Sequence, residues 1–108
     1  LGLKKHPAGQ MILMRLKATC IGSGEMLPPT LILTDRALVR EDPEGLSKHT
    51  VEVPLDQIAS VQLTENLVHA TLRVVTEGGD VIETKGLPKQ EAKDLQDLIG
   101  EARKIHGR

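Results

Sequence analysis

The order of the hydrophobic patterns constrains this fold most, because short period-two segments come first and one helical stripe comes last. Positions in the stripe recur at spacings of three and four, which is typical of an amphipathic helix. They are Ala92, Leu95, Leu98, Ile99, Ala102 and Ile105. A parallel sheet needs a crossover, usually a helix, between its strands, and no such segment lies among the period-two segments. The sequence therefore predicts an antiparallel sheet closed by one C-terminal helix.

Seven short segments are predicted as strands. The first runs from Met11 to Cys20, and its expected buried face comprises Ile12, Met14, Leu16, Ala18 and Cys20. The others cover residues 30–34, 37–41, 49–53, 57–65, 69–76 and 81–85. Polar loops are expected at 22–29 and 41–48, with turns at Asp35, Asn66 and Gly78-Gly79. Pro88 is predicted as the first helical residue, and Gly100 is predicted to lie at a close packing contact within the helix.

Composition and charge exclude several classes of function. The 108 residues carry 14 Lys+Arg against 15 Asp+Glu, so no basic excess points to duplex nucleic acid. The chain has no Phe, Tyr or Trp, which excludes the aromatic platforms on which single-strand-binding proteins stack bases. Its one cysteine, Cys20, excludes an internal disulfide and favours a cytoplasmic location. The longest hydrophobic run, Met11 to Met14, is too short to span a bilayer.

Three segments, in this order, resemble bacterial pleckstrin-homology-like domains of the PH and GRAM superfold. They are LILTDRALVR (31–40), VEVPLDQIASVQL (51–63) and TLRVVTEGGDVIETKGLPKQEAKDLQDLI (71–99). The resemblance implies a mainly β (α+β) fold, a seven-stranded antiparallel split barrel closed by one C-terminal amphipathic helix. It also implies an interaction module without a universal active site, and some bacterial members assemble into homo-oligomers. We expect residues 1–10 to form a flexible N-terminal leader and residues 11–108 a single PH-like domain.

The residue types that carry chemistry form no catalytic or metal-ligating pattern. The four histidines match no zinc-ligand spacing, and no serine lies in a nucleophile motif. Cys20 shares the expected buried face of the first strand, where thiols are usually inert. We therefore predict no enzymatic activity, no catalytic residue, no metal and no cofactor. A small-molecule site would require a polar pocket lined by at least three of His49, His69, Arg73 and a carboxylate.

Two non-enzymatic functions remain. The first is binding to another protein or self-assembly, through the apolar loop residues Met26 and Leu27 or the outward-facing strand residues Arg73 and Val75. The alternative is a peripheral membrane module that binds anionic lipid through basic residues. These would be Lys4, Lys5, Arg15, Lys17, Arg36 and Arg40. The loop 22–29, where eukaryotic relatives often carry basic phosphoinositide ligands, contains Glu25 and no basic residue, which opposes this alternative.

Overall fold

The structure is a computed structural model that describes residues 10–24 and 26–106, with the backbone alone at positions 22, 23 and 106. Within these residues the chain forms seven strands, one long helix and two short helical segments. The strands are β1 (Ile12–Lys17), β2 (Thr30–Thr34), β3 (Ala37–Glu44), β4 (Ser47–Pro54), β5 (Ile58–Glu65), β6 (His69–Thr76) and β7 (Val81–Pro88). The helices are α1 (Cys20–Ser23) and α2 (Lys89–His106), and a 3₁₀ turn spans Leu55–Gln57.

The strands form two antiparallel sheets. One has four strands in the order β1-β2-β3-β4, and the other has three in the order β5-β6-β7. Every neighbouring pair runs antiparallel and is joined by a direct connection, as expected where no crossover helix separates the strands. The predicted mainly β fold with a closing C-terminal helix is therefore confirmed, and α1 and the 3₁₀ turn are additions that the sequence patterns did not predict.

The core lies between the inner faces of the two sheets and the apolar face of α2. Period-two alternation turns Leu31 and Leu33 of β2, and Leu72 and Val74 of β6, toward this interior. The helix contributes Ala92, Leu95, Ile99 and Ala102. Ile105, predicted in the same stripe, is 71% exposed because the last turn of α2 extends past the sheets that it covers. The core is therefore wholly aliphatic.

β1 ends earlier than the sequence predicts. Its ladder with β2 ends at the pair formed by Lys17 and Thr30. Thr19 then donates its backbone N–H to the Gly86 carbonyl at 2.9 Å, so the chain leaves β2 and approaches β7. Cys20 begins α1 and is exposed, and the prediction of a buried thiol is wrong because the period-two alternation does not continue past this crossing.

The segment 41–48, predicted as a polar loop, instead extends the hairpin formed by β3 and β4. Pairing continues to Glu44 and Ser47, which flank a turn made of Gly45 and Leu46. Gly45 has a φ of +65°, a conformation in which glycine carries no steric penalty. Only the first part of β3 pairs with β2, so the outer part of the hairpin has few neighbours. Its polar composition therefore reflects a strand pair that protrudes into solvent.

The connection from β7 to α2 also differs from the prediction. β7 continues through Pro88, which pairs with His69, and α2 begins one residue later than expected. The register of the β6–β7 ladder shifts between Ala70 and Leu72, close to Gly86, whose φ is +77°. A bulge at a glycine changes the direction of a strand locally, and a period-two sequence pattern does not predict such a bulge.

Gly100 offers a direct test of helix energetics, because the predicted close packing contact is absent. A Cβ built on Gly100 meets no atom within 4 Å, and the residue is exposed in the middle of α2. Gly100→Ala is therefore expected to raise the free energy of unfolding by about 0.5–1 kcal/mol. Urea unfolding followed by far-UV circular dichroism measures this change.

The matched control for this prediction is Gly79→Ala in the β6–β7 turn. Gly79 also has open space around it, but its φ is +94°. The same methyl group is therefore expected to lower the free energy of unfolding there, by about 1 kcal/mol, because a side chain strains that backbone. A loss of stability in Gly100→Ala would contradict the helix argument.

Candidate functional site

Five of the exposed apolar side chains in the described chain lie in two loops, the β1–β2 loop and the β5–β6 turn. They are Ile21, Met26, Leu27, Leu67 and Val68, and each is between 51% and 96% exposed. We call this set the apolar end. Exposed apolar residues that occur singly need no explanation, but a cluster of them marks a contact surface.

Contacts between the two sheets hold the loops of the apolar end together. The hydroxyl of Thr19, just before α1, lies 3.2 Å from Nε2 of His69, the first residue of β6. This contact places α1 beside the β5–β6 turn. Ile21 on one side and Leu67 and Val68 on the other line a shallow cavity of about 530 Å³. Ile21, Leu67 and Val68 therefore share one surface built from both sheets. Sγ of Cys20 lies 3.5 Å from the carbonyl of Met26, which places the backbone of Met26 beside α1.

The β5–β6 turn is organised by its first residue, Asn66. Its Oδ1 accepts hydrogen bonds from the N–H groups of Val68 at 2.9 Å and His69 at 2.7 Å. The N–H of Asn66 donates to the carbonyl of His69 at 2.9 Å. Asparagine is favoured in turns because its side chain bonds the backbone in this way. The predicted turn at Asn66 is confirmed, and its closure leaves Leu67 and Val68 at the tip.

The β1–β2 loop exposes Met26 and Leu27 because the two prolines after them occupy the buried positions. Pro28 and Pro29 are buried. The carbonyl of Pro29 accepts a hydrogen bond from the N–H of Ala18 at 2.9 Å, which joins the two ends of the loop. The apolar pair is thus held on a closed loop.

Three members of the apolar end were not predicted from the sequence: Ile21, Leu67 and Val68. The available signal for the turn was two consecutive apolar residues directly after an asparagine, which is the place where a turn faces solvent. For Ile21 the signal was an apolar side chain that falls out of the alternation of β1. Neither signal shows that the two loops meet, because their contact joins residues far apart in the sequence.

Arg73 and Val75, predicted as interaction residues, lie on a different surface. Both belong to the outer face of the three-stranded sheet, where Arg73 is exposed between Gln62 and Glu83 and Val75 is partly buried. Val75 is six residues from the start of β6, or about 20 Å along an extended strand. The structure does not bring these two residues to the apolar end.

The basic residues proposed for lipid contact are dispersed. Lys4 and Lys5 lie outside the described residues. Arg15 and Lys17 are exposed and, being two residues apart on β1, project from the same face. Arg36 is exposed beyond the other end of β2, in the turn before β3. Arg15 and Lys17 are therefore the two members of this set that the structure places together.

Arg40 is engaged within the molecule. Its side chain is mostly buried, and the guanidinium forms an ion pair with Asp42 at 3.0 Å. It also donates to Oγ1 of Thr84 at 3.1 Å and to the carbonyl of Glu83 on β7. Charge-assisted hydrogen bonds of this kind are about twice as strong as neutral ones. Arg40 therefore links the four-stranded sheet to the three-stranded one.

The histidines and the cysteine are not assembled into a reactive centre in the described chain. His49 lies on β4 opposite Asp42, whereas His69 lies on β6 in the other sheet. The cavity that His69 lines contains neither His49 nor Arg73. No group of three or more His, Cys, Asp or Glu side chains among residues 10–24 and 26–106 could hold a metal ion. No helix in the same residues is long and apolar enough to cross a membrane.

Comparison with known proteins shows which family the chain belongs to. A family model described as a bacterial PH domain matches residues 12–101. The chain belongs to the bacterial PH domain family. The resemblance inferred from the sequence is thereby confirmed, and PH-like domains are generally non-catalytic binding modules.

The fold of this bacterial PH domain is also found in a solved structure. It is similar to the C-terminal domain of an unknown protein from Leishmania infantum, with 16% sequence identity and a TM-score of 0.59. The match covers 85% of this chain and 86% of that chain. At this identity the likeness shows the fold alone. None of the curated proteins matches this bacterial PH domain.

Proposed function

We propose that this bacterial PH domain is a non-enzymatic protein-binding module and that the apolar end is its docking surface. The observation that carries the proposal is the exposure of five apolar side chains on two loops that are in contact across the sheets, with Ile21, Leu67 and Val68 lining one shallow cavity. Burying apolar surface contributes about 25 cal/mol for each Å² removed from water. A partner that covers these side chains therefore gains affinity without requiring a charged ligand.

The surroundings of the apolar end favour a protein over a membrane. Lys89 and Lys93, at the start of α2, both contact Glu65 at the end of β5, at 3.8 and 3.4 Å. Glu65 thus offsets part of the basic charge beside the β5–β6 turn. Membrane-surface helices and loops commonly carry a larger excess of basic residues, together with interfacial Trp or Tyr. The chain has no aromatic residue. We assign the partner an apolar surface of its own, such as one face of an amphipathic helix.

A second candidate function, binding to anionic lipid, is favoured by one observation. Arg15 and Lys17 are exposed on the same face of β1, and among the described residues neither forms an ion pair. Each basic residue near an anionic surface contributes about 1 kcal/mol, so two of them give weak, salt-sensitive attachment. This candidate uses a surface of the four-stranded sheet rather than the apolar end.

The docking surface is tested by the double variant Ile21→Ser/Leu67→Ser. Two lost aliphatic contacts are expected to lower the affinity for a protein partner by at least about tenfold, because each fully buried side chain contributes roughly 1.5 kcal/mol or more. The measurement is quantitative recovery of bound proteins on the immobilised domain, followed by titration of each recovered protein against both forms. The matched control is Ile105→Ser, another exposed aliphatic residue, at the far end of α2.

Two outcomes would contradict the proposal. One is a protein that binds the wild type and the double variant equally well. The other is co-sedimentation with phosphatidylcholine vesicles containing about 30% phosphatidylglycerol, lost in Arg15→Ala/Lys17→Ala and at high salt, where screening weakens exposed charges. That second result would establish the lipid-binding candidate instead.

A further inference from the structure

The four-stranded sheet ends at β4, and this edge has a regular set of free backbone groups. In an antiparallel ladder, hydrogen-bonded pairs alternate with pairs whose backbone groups point away. Glu44 and Ser47 flank a two-residue turn and therefore form a hydrogen-bonded pair of the β3–β4 ladder. The Leu55 N–H donates to the carbonyl of Arg36, eight residues before Glu44, so hydrogen-bonded pairs fall at every second position between them. The alternate residues of β4 therefore direct N–H and C=O groups toward the open edge. They are Lys48, Thr50 and Glu52.

Proline positions agree with this assignment. Pro43 lies opposite Lys48, in a non-hydrogen-bonded pair where β3 donates no N–H to β4, so a proline is tolerated there. Pro54 lies two residues after Glu52, so the N–H that it lacks is one that would point to the open edge. The proline at the end of β4 thus leaves the segment from Lys48 to Glu52 as the part of the edge able to accept another strand.

Each of the other sheet edges in the described chain has a backbone group already engaged or an irregularity in its ladder. The carbonyls of Glu83 and Gly86 on β7 accept hydrogen bonds from Arg40 and Thr19 of the other sheet. On β5, the carbonyl of Ile58 accepts a hydrogen bond from Arg103 of α2 at 2.9 Å. β1 carries a bulge between Ile12 and Met14, and bulges disfavour edge pairing. β4 is consequently the edge best suited to pairing with another strand.

The side chains along this edge are self-complementary. Lys48, Thr50 and Glu52 are exposed and, at alternate positions, project from one face of the sheet. The order is basic, neutral, acidic. In an antiparallel pair centred on Thr50, a two-fold axis sets Lys48 opposite the partner subunit's Glu52, and Glu52 opposite the partner subunit's Lys48. Opposite charges facing each other across neighbouring strands stabilise the pair, and like charges destabilise it.

We infer that a second copy of this chain pairs with β4 in this register and joins the two four-stranded sheets into one continuous sheet. The three facing pairs exchange on the order of six backbone hydrogen bonds, which is the basis of strand-addition interfaces. Lys48 contacts Glu41 at 3.3 Å, and Glu52 accepts from Gln10 at 3.3 Å. Both contacts are exposed and can be exchanged for the intersubunit pairs. The inference is independent of the apolar end.

Charge reversal tests this interface. Sedimentation velocity with refractive-index detection, needed because the chain has no Trp or Tyr, is expected to show a species of twice the chain mass for the wild type. Lys48→Glu or Glu52→Lys alone is expected to weaken self-association by at least about tenfold, since each creates two like-charge pairs. The double variant Lys48→Glu/Glu52→Lys restores both pairs and is expected to return to within about threefold of the wild type.

The register is tested separately by cysteine pairing in a Cys20→Ser background. In the proposed pair the two Thr50 Cα atoms lie about 5.5 Å apart, within disulfide range. Thr50→Cys is therefore expected to give a covalent dimer on oxidation. The matched control is Lys48→Cys on the same strand, which lies about 13 Å or more from its own copy and is expected to remain uncrosslinked.

The outcomes separate this proposal from the docking surface proposed above. A wild type that stays monomeric up to about 0.5 mM overturns the β4 pairing. So does equal self-association of the wild type and both single charge variants. Loss of self-association in Ile21→Ser/Leu67→Ser, with Lys48→Glu unaffected, would also overturn it and would place the self-contact at the apolar end. Lys85→Glu on β7 is the control for an unrelated charge change.

Discussion

Leu95→Ala is expected to lower the free energy of unfolding by about 3–4 kcal/mol, far more than a surface substitution on the same helix would. Leu95 is 0% exposed and lies midway along α2, where the helix covers the interior between the sheets. Truncation removes a buried isobutyl group and leaves a cavity. The surrounding aliphatic side chains are held on strands and so collapse only partly into the space. For a chain of this size the midpoint of thermal unfolding should fall by roughly 15–20 °C.

Thermal and urea unfolding followed by far-UV circular dichroism measure the effect of Leu95→Ala. The matched control is Ile105→Ala on the same helix, which is exposed and should change the free energy of unfolding by no more than about 0.5 kcal/mol. Similar small losses for both variants would show that α2 does not close the core as the structure describes.

Thr34→Val is expected to lower the free energy of unfolding by about 2–3 kcal/mol although it preserves side-chain shape. Thr34 is 0% exposed at the end of β2. Its hydroxyl oxygen accepts hydrogen bonds from the N–H groups of Arg36 at 3.1 Å and Ala37 at 2.9 Å, and the hydroxyl donates to the side-chain oxygen of Gln10. Valine removes the acceptor while the buried donors remain, and unmade buried hydrogen bonds are expensive.

The control for Thr34→Val is Thr64→Val, an exposed position on β5, where the change should be close to zero. If Thr34→Val lowers the free energy of unfolding no more than the control does, water replaces the hydroxyl at the β2–β3 turn. Urea midpoints at constant m-value distinguish these results from a change in the compactness of the denatured state.

Local patterns were sufficient to predict the architecture but not the paths between elements. The alternation in β6 reports a half-buried strand directly, because Ala70, Leu72 and Val74 are buried and the residues between them are more exposed. The same reasoning fails for residues 41–48, since a hairpin that protrudes buries neither face and shows no alternation. It also fails at Cys20. Just before this residue the chain crosses from one sheet to the other, and the Thr19 N–H donates a hydrogen bond to the Gly86 carbonyl.

The candidate site was predictable only in part, and the reason is distance along the sequence. Met26 and Leu27 could be recognised as an apolar loop tip, since prolines follow them directly. The meeting of the β1–β2 loop with the β5–β6 turn depends on contacts between residues far apart in the sequence, such as Thr19 and His69, which are 50 positions apart. Composition and periodicity describe single elements, so a surface assembled from two sheets requires the three-dimensional structure.

The origin of the apolar end in both sheets links recognition to folding. A protein partner of the docking surface proposed above would meet both loops at once, because contacts such as that between Thr19 and His69 hold the two loops together. By mass action, a partner present at about 100 times its Kd would add roughly 2.7 kcal/mol to the stability of the folded state. Conversely, a variant that loosens the sheets lowers the apparent affinity in proportion to the assembled fraction, even where it touches no partner atom. Variants that separate the two loops should therefore lose affinity and stability together, whereas a variant such as Gly100→Ala should raise stability and leave affinity unchanged.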